Sequence, residues 1–287
     1  MSAFGGAIKE SQKYDIALMG IPFDGKSCYL KGAAKGPEAI RAASKGEATN
    51  SWTELGVNLE REVVMVDLGD VEVRGDFLTL SSVIEERISA ILKKKAVPFV
   101  LGGDHSISYP IVKTFSKKFR ALDILHFDAH PDLYEQLHGD RFSHACPFAR
   151  IVEEGIANRL VQVGIRAATT QQRDKASRYG VEMIEMRDVC KLPPLAFSNP
   201  LYISFDMDAL DPAFAPGVSH HEAGGLTTRQ VLDMMHSLEA EIVGMDVVEL
   251  NPDRDPSGIT AAAAVKIIKE AAGQIVIVRK TRQKEES

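Results

Sequence analysis

Short runs of apolar and β-branched residues recur along the chain at 15–19, 62–66, 97–101, 123–127, 160–163, 201–205 and 242–248. Each has the length of a strand, and most lack the alternation of a strand with one wet face, so they predict strands buried on both sides. Between them, 78–95, 106–119, 227–238 and 258–272 repeat apolar residues near the helical period, and Gly36-Pro37-Glu38-Ala39-Ile40-Arg41 puts a proline and then an acid in a first turn. Thr227-Thr228-Arg229-Gln230 reads as a capping box opening the helix that follows. Strands of this kind alternating with helices predict an α/β fold with a mainly parallel sheet covered on both faces. The chain shows no repeat, linker or low-complexity stretch, and its 287 residues are expected to form one domain, 1–287.

Where the apolar runs end, the pattern turns sharply polar. Three segments carry histidines and carboxylates at such ends: Gly102-Gly103-Asp104-His105, His126-Phe127-Asp128-Ala129-His130-Pro131-Asp132 and Ser204-Phe205-Asp206-Met207-Asp208. Strand parity would put His126, Asp128, His130 and Asp132 on one face, and would align Asp206 with Asp208. Carboxylates gathered this closely repel one another unless cations lie among them. His105, Asp128, His130, Asp132, Asp206 and Asp208 are too many ligands for one tetrahedral zinc but suit two divalent ions with bridging carboxylates. Four anionic oxygen donors, two imidazoles and no thiolate favour Mn2+, with Co2+, Ni2+, Fe2+ or Zn2+ as substitutes. Ligands in open α/β sheets bind outside the carboxyl ends of the strands, which is where these residues fall, and Glu249 stands on the same rim.

Charge and cysteine content narrow the setting. The formal net charge is −6, and basic groups at 93–95, 117–118 and 279–284 read as solvated helix faces and a frayed terminus, so no nucleic-acid partner is expected. Cys28, Cys146 and Cys190 show no paired spacing, Met1 to Tyr14 lacks the marks of a secretory or transit segment, and no run would span a bilayer. A cytoplasmic protein without a membrane partner is the expectation.

The three polar segments, with Lys35-Gly36-Pro37-Glu38-Ala39-Ile40-Arg41 and Asp246-Val247-Val248-Glu249-Leu250-Asn251-Pro252, resemble the signature motifs of the ureohydrolases, the arginase and agmatinase family, in order and spacing. The resemblance implies a three-layer α/β/α sandwich, two Mn2+ per subunit, a homotrimer or homohexamer, and hydrolysis of a guanidino group to urea and an amine. It also implies bridging roles for Asp128 and Asp206, with His105 and Asp132 completing one metal and His130 and Asp208 the other. His144 would be the proton shuttle, suited to an imidazole titrating near neutrality, and Glu249 would hold the guanidinium. Two metals sharing a water would lower its pKa toward ~7 and place it beside the guanidino carbon. His126 is expected to support the ligands rather than join them, and His138, His220 and His221 lie in rim loops without an assigned role.

The substrate divides the signals. Where animal and bacterial arginases read the amino-acid end of arginine, this chain has Tyr134 and Ala167, a departure that resembles agmatinases, while loop 216–225, Ser143-His144-Ala145 and the Tyr after the second motif are similar to plant-type arginases. Arginine is the expected substrate and agmatine the alternative. The rim offers both signs, with Glu135, Asp140 and Glu222 against Arg141 and Arg166. A formiminoglutamase would release formamide instead of urea, and a zinc deacetylase would need only one metal. An inactive scaffold fits less well, because the ligand set is complete and His144 and Glu249 are both present.

Overall fold

The structure is a computed structural model that describes residues 4–7, 11–45 and 49–285, so part of the stretch Met1 to Tyr14 lies outside the described residues. Eight strands, β1 (Ile16–Gly20), β2 (Met65–Asp70), β3 (Val97–Leu101), β4 (Asp123–Phe127), β5 (Arg159–Ile165), β6 (Glu182–Glu185), β7 (Leu201–Asp206) and β8 (Ile242–Val248), pair in parallel in the order β2-β1-β3-β8-β7-β4-β5-β6. The chain builds outward from β1 and β3 on one side, crosses to β4, β5 and β6 on the other, and returns with β7 and β8 to fill the middle. That route brings the carboxyl ends of β3, β8, β7 and β4 side by side.

The helices are α1 (Gly36–Ala43), α2 (Leu59–Glu62), α3 (Phe77–Lys93), α4 (Ser108–Ser116), α5 (Pro147–Glu153), α6 (Thr170–Tyr179), α7 (Thr228–His236) and α8 (Ile259–Glu285). Side chains alternate across the sheet, so β4 sends Leu125 and Phe127 into the core shared with α1, α7 and α8, and Ile124 into the core shared with α3, α4 and α5. The result is the expected three-layer α/β/α sandwich.

Local deviations have local causes. The run expected as a strand at 62–66 starts late, because the Asn58 side chain accepts the Glu60 N–H at 3.1 Å and caps α2 first. Strand β6 went unread because it is a short edge strand, Glu-Met-Ile-Glu, without a buried run. Helix α6 was likewise missed although Thr169 and Gln172 form the same capping box that opens α7 at Thr227 and Gln230. Helix α5, which opens on Pro147, was missed as well. The basic tail is no frayed terminus. Ile275 and Val276 continue the buried stripe of α8, and Arg279 and Arg282 pair with Asp15 at 3.0 Å and Glu241 at 2.8 Å.

Arg41 of α1 is buried against Asp67 and Asp70 of β2, with its Nε 2.8 Å from the Asp67 carboxylate. Burial opposes ionisation of Asp67, but the Arg41 hydrogen bonds and charge outweigh it and hold the carboxyl below its ordinary range. Its contribution to stability is therefore present above the unfolded pKa near ~4 and lost as pH falls through the lower folded value. Replacing Arg41 by Met should strand both carboxylates and destabilise the fold by about 3–5 kcal/mol, read as a lower denaturant midpoint. A loss below about 1 kcal/mol would mean that the pair behaves like a surface contact.

Candidate metal centre and its pocket

Beyond β3, Gly102 and Gly103 let the chain turn beneath the segment that follows β1. A Cβ at Gly103 would fall 1.8 Å from the Phe23 carbonyl oxygen, the same oxygen that accepts the Asp104 N–H at 2.7 Å. Asp104 then caps a 3-10 turn, His105–Ile107, that directs His105 inward. The His105 Nδ1 lies 3.2 Å from Asp128 Oδ2, 3.1 Å from Asp132 Oδ2 and 3.1 Å from Asp206 Oδ2, yet it is buried without a hydrogen bond. Its Nε2 is 3.0 Å from Ser204 Oγ, whose own proton goes to Asp246 at 2.7 Å, and Tyr202 donates to the other Asp246 oxygen at 2.6 Å. Ser204 therefore accepts from Nε2–H, and Nδ1 is the atom left to meet a cation.

A second set adjoins the first. His130 Nδ1 lies 3.0 Å from Asp208 Oδ2 and 3.4 Å from Asp128 Oδ1, so the two oxygens of Asp128 face the two imidazoles. Separations near 3 Å match the edges of a polyhedron with metal–ligand bonds of ~2.1 Å, and the orphaned Nδ1 among three carboxylates lacks only a cation. The residues present fit a binuclear metal site. His126 plays the supporting part expected of it. The Gln162 amide nitrogen faces the Pro131 carbonyl at 2.7 Å and donates to His126 Nδ1 at 3.0 Å, which leaves the proton on Nε2 to reach Asp128 Oδ2 at 2.8 Å.

Strand parity accounts for only part of this arrangement. β4 stops at Phe127 and β7 at Asp206, so the alternating carboxylates close turns rather than prolong strands. Asp128 Oδ1 accepts the His130 N–H at 2.6 Å, Asp206 Oδ1 accepts the Asp208 N–H at 2.8 Å, and Asp132 sits at φ +52°. The short Asp-x-Asp turns, not a flat face, fold the ligands around one point.

The electrostatics follow from crowding. Burial and the charge of Asp128 raise Asp132 to about 6, and burial with the charges of Asp208 and Asp128 raises Asp206 well above its ordinary value. Burial opposes a charge on His105, but Asp128, Asp132 and Asp206 override it and hold a proton on the ring. Metal uptake would replace such protons with a stronger charge.

Above the metal centre lies a cavity of about 190 Å³ lined by Asp132, Asp206, Asp208, His144, Glu249 and, nearer its mouth, Tyr134, Ala167, His220 and Cys28. His144 Nδ1 is 3.0 Å from Glu249 Oε1, which also accepts the His105 N–H at 2.9 Å, and Glu249 adopts φ +62° in making both contacts. Burial disfavours the His144 cation, but hydrogen bonds to Cys28 and Glu249 and the charge of Asp132 push it up to about 11. Cations beside Asp132 would offset that last contribution and lower the ring from there.

Of the rim histidines, His220 enters the cavity, whereas the His221 Nε2 turns to the Pro216 carbonyl at 2.7 Å and exposed His138 occupies the turn of Leu137 and Asp140. Arg166 is no part of a substrate rim, because its guanidinium is spent on the carbonyls of Gly164, Asp208, Ala209, Leu210 and Glu222. Cys28, Gln162 and the Ser204–Asp246–Tyr202 chain were not anticipated. Parity could have found Tyr202, Ser204 and Asp206 on one face of β7, but Cys28 carries no signal in sequence.

The arginase family model matches residues 14–273. The chain belongs to the arginase family. Arginase 1, mitochondrial, of Arabidopsis thaliana is 46% identical over 92% of this chain and 82% of its own length. Guanidino acid hydrolase, mitochondrial, of Homo sapiens is 35% identical over 89% of this chain and 77% of its own. Among solved structures, arginase from Medicago truncatula superposes with a TM-score of 0.87 at 45% identity, covering 91% of this chain and 87% of that one. Family membership makes this chain a hydrolase acting on guanidino groups, with candidate ligands in place for a metal centre.

Ser204→Ala tests how His105 is oriented. Loss of the Nε2 acceptor should weaken binding of divalent metal by about 10–100-fold, measured by metal titration of the stripped protein. Unchanged affinity would show that Ser204 does not orient the ligand.

Proposed function

We propose that this arginase-family chain hydrolyses L-arginine to ornithine and urea with two Mn2+ bound per subunit. The observation that carries the reading is Asp128, one oxygen facing His105 with Asp132 and Asp206, the other facing His130 with Asp208. Asp128 and Asp206 would serve both ions, His105 and Asp132 one, and His130 and Asp208 the other. Oxygen-rich ligands support manganese. When bound, the ion pair supplies Lewis acidity and water with a pKa lowered toward ~7.

The protein's own groups do the rest. Both contacts of Glu249 use Oε1, so its second oxygen is placed to accept N–H groups of the guanidinium and hold the carbon over the metal centre. His144, oriented through Nδ1 by Glu249, holds a proton at Nε2 for the leaving amine. The overall change balances as guanidinium plus water giving urea and an alkylammonium. The proposal includes a single domain, a homotrimer or homohexamer, and a cytoplasmic location, the last supported by the three free cysteines. No helix among the described residues is long and apolar enough to cross a membrane.

One observation favours a second reading. No Lys or Arg is among the described residues lining the cavity, and Tyr134 and Ala167 stand at its mouth, so a substrate without a carboxylate, such as agmatine, also fits. Manganese-loaded protein assayed in parallel against arginine, agmatine and shorter guanidino acids is expected to release urea fastest from arginine. Turnover confined to agmatine would reverse the assignment. Asp128→Asn should leave a folded chain with turnover at least ~10³-fold lower and fewer than two ions retained, because a carboxylate shared by both ions cannot be replaced by a neutral amide. Undiminished turnover would remove Asp128 from the centre.

A further inference from the structure

Cys28, His144 and His220 come from three loops far apart in sequence, and their ligating atoms all lie within 4.8 Å of one another at the mouth of the cavity. The Cys28 Sγ is 3.1 Å from His144 Nε2 and 4.0 Å from His220 Nε2. Bonds of ~2.3 Å to sulfur and ~2.0 Å to nitrogen in a tetrahedron would separate such atoms by roughly 3.3–3.6 Å, between the two distances observed. We propose that these three side chains form an additional metal site, separate from the two manganese positions, that takes a borderline-soft divalent cation of the zinc class and silences the enzyme.

The donor set selects that class. One thiolate and two imidazoles suit Zn2+, while the carboxylate-rich centre below suits a harder ion. Three protein ligands leave a fourth position for solvent. Glu249, 3.0 Å from His144 Nδ1, orients the ring as a carboxylate behind a metal-bound histidine does, and the Cys28 backbone nitrogen lies 3.3 Å from His144 Nε2.

The three loops are also held in place. Lys26 donates its N–H to Asp104 at 2.8 Å and its ammonium to Asp140 at 2.6 Å, while its carbonyl accepts the His144 N–H at 3.3 Å. Asn251 donates to Ser219 Oγ at 2.9 Å and to the Lys31 carbonyl at 3.0 Å, tying the His220 loop to the Cys28 loop. Little rearrangement is needed for an ion to enter.

The consequence rests on the role proposed above for His144. As the ion binds, the Cys28 thiol and His144 Nε2 each release a proton to solvent, and the nitrogen that would carry a proton to the leaving amine is occupied by the ion. Zinc at this site therefore stops turnover without displacing manganese.

The test uses protein already loaded with two equivalents of Mn2+. Equilibrium dialysis against Zn2+ should show a third equivalent bound with both manganese ions retained. Co2+ added instead should give a thiolate-to-metal charge-transfer absorbance, and Cys28→Ser and His220→Asn should lose the extra equivalent. Turnover with zinc should fall about 10²-fold, the share of a general acid, while Cys28→Ser, whatever its own rate, should turn over equally with and without zinc. Failure to bind a third equivalent, lack of a thiolate band, or equal inhibition of Cys28→Ser would overturn the site. A third equivalent bound with turnover unchanged would uphold the site and instead remove His144 as the proton donor.

Discussion

Repulsion among buried carboxylates governs this molecule. Asp128, Asp132, Asp206 and Asp208 converge, largely buried, within a few ångströms of His105 and His130 at the floor of the cavity, and the ordinary cost of burying charge falls on each of them. Asp132 and Asp206 answer by holding protons more tightly, and His105 answers by becoming a cation. Such a cluster gains most from a pair of dications, which offset the repulsion directly and take the place of the proton that His105 Nδ1 otherwise holds among three carboxylates.

Fold and chemistry meet in the strand order. Because the chain crosses the sheet before returning through β7 and β8, the four central strands deliver His105, Glu249, Asp206 and Asp128 to one rim from distant parts of the sequence. The layer beneath is built for rigidity. His126 stacks on Phe148 at 3.8 Å, and Asp246 binds both Ser204 and Tyr202, so each imidazole is held by a partner that sets which nitrogen carries its proton. Two of the four non-glycine residues at positive φ among the described residues, Asp132 and Glu249, lie in the same region.

How much of this was legible in the sequence follows from burial. Strands enclosed on both faces announce themselves as continuous apolar runs, so β1, β3, β4, β5, β7 and β8 were readable, whereas half-exposed β6 resembles a loop in composition. The ligands were readable because carboxylates at strand ends need a reason to be there. Their geometry was less so, since an alternating Asp-x-His-x-Asp pattern is compatible with an extended strand and with a chain of side-chain-capped turns. Only the backbone decides between them, and at Asp128 and Asp206 it chose the turn. Cys28 was invisible for a different reason: its proximity to His144 comes with the Lys26 carbonyl accepting the His144 N–H, a contact between residues with no shared local pattern.

Substrate choice is physically separate from the metal chemistry. The ligands stand on or next to strands that cannot move without breaking the sheet, while the groups that would meet the far end of a substrate, Tyr134, Ala167 and His220, sit on loops. Arg166 shows how sequence alone misleads at such a rim. It looks like a carboxylate reader, yet five carbonyls claim its guanidinium and make it the clamp that fixes the turn after β7 against the loop carrying Glu222. A charge so engaged has little left to offer a ligand, which leaves the cavity's own lining, Tyr134, Ala167 and His220 among it, to meet the far end of a guanidino compound. Chains with the same ligand set can therefore differ in substrate with no change in the strands.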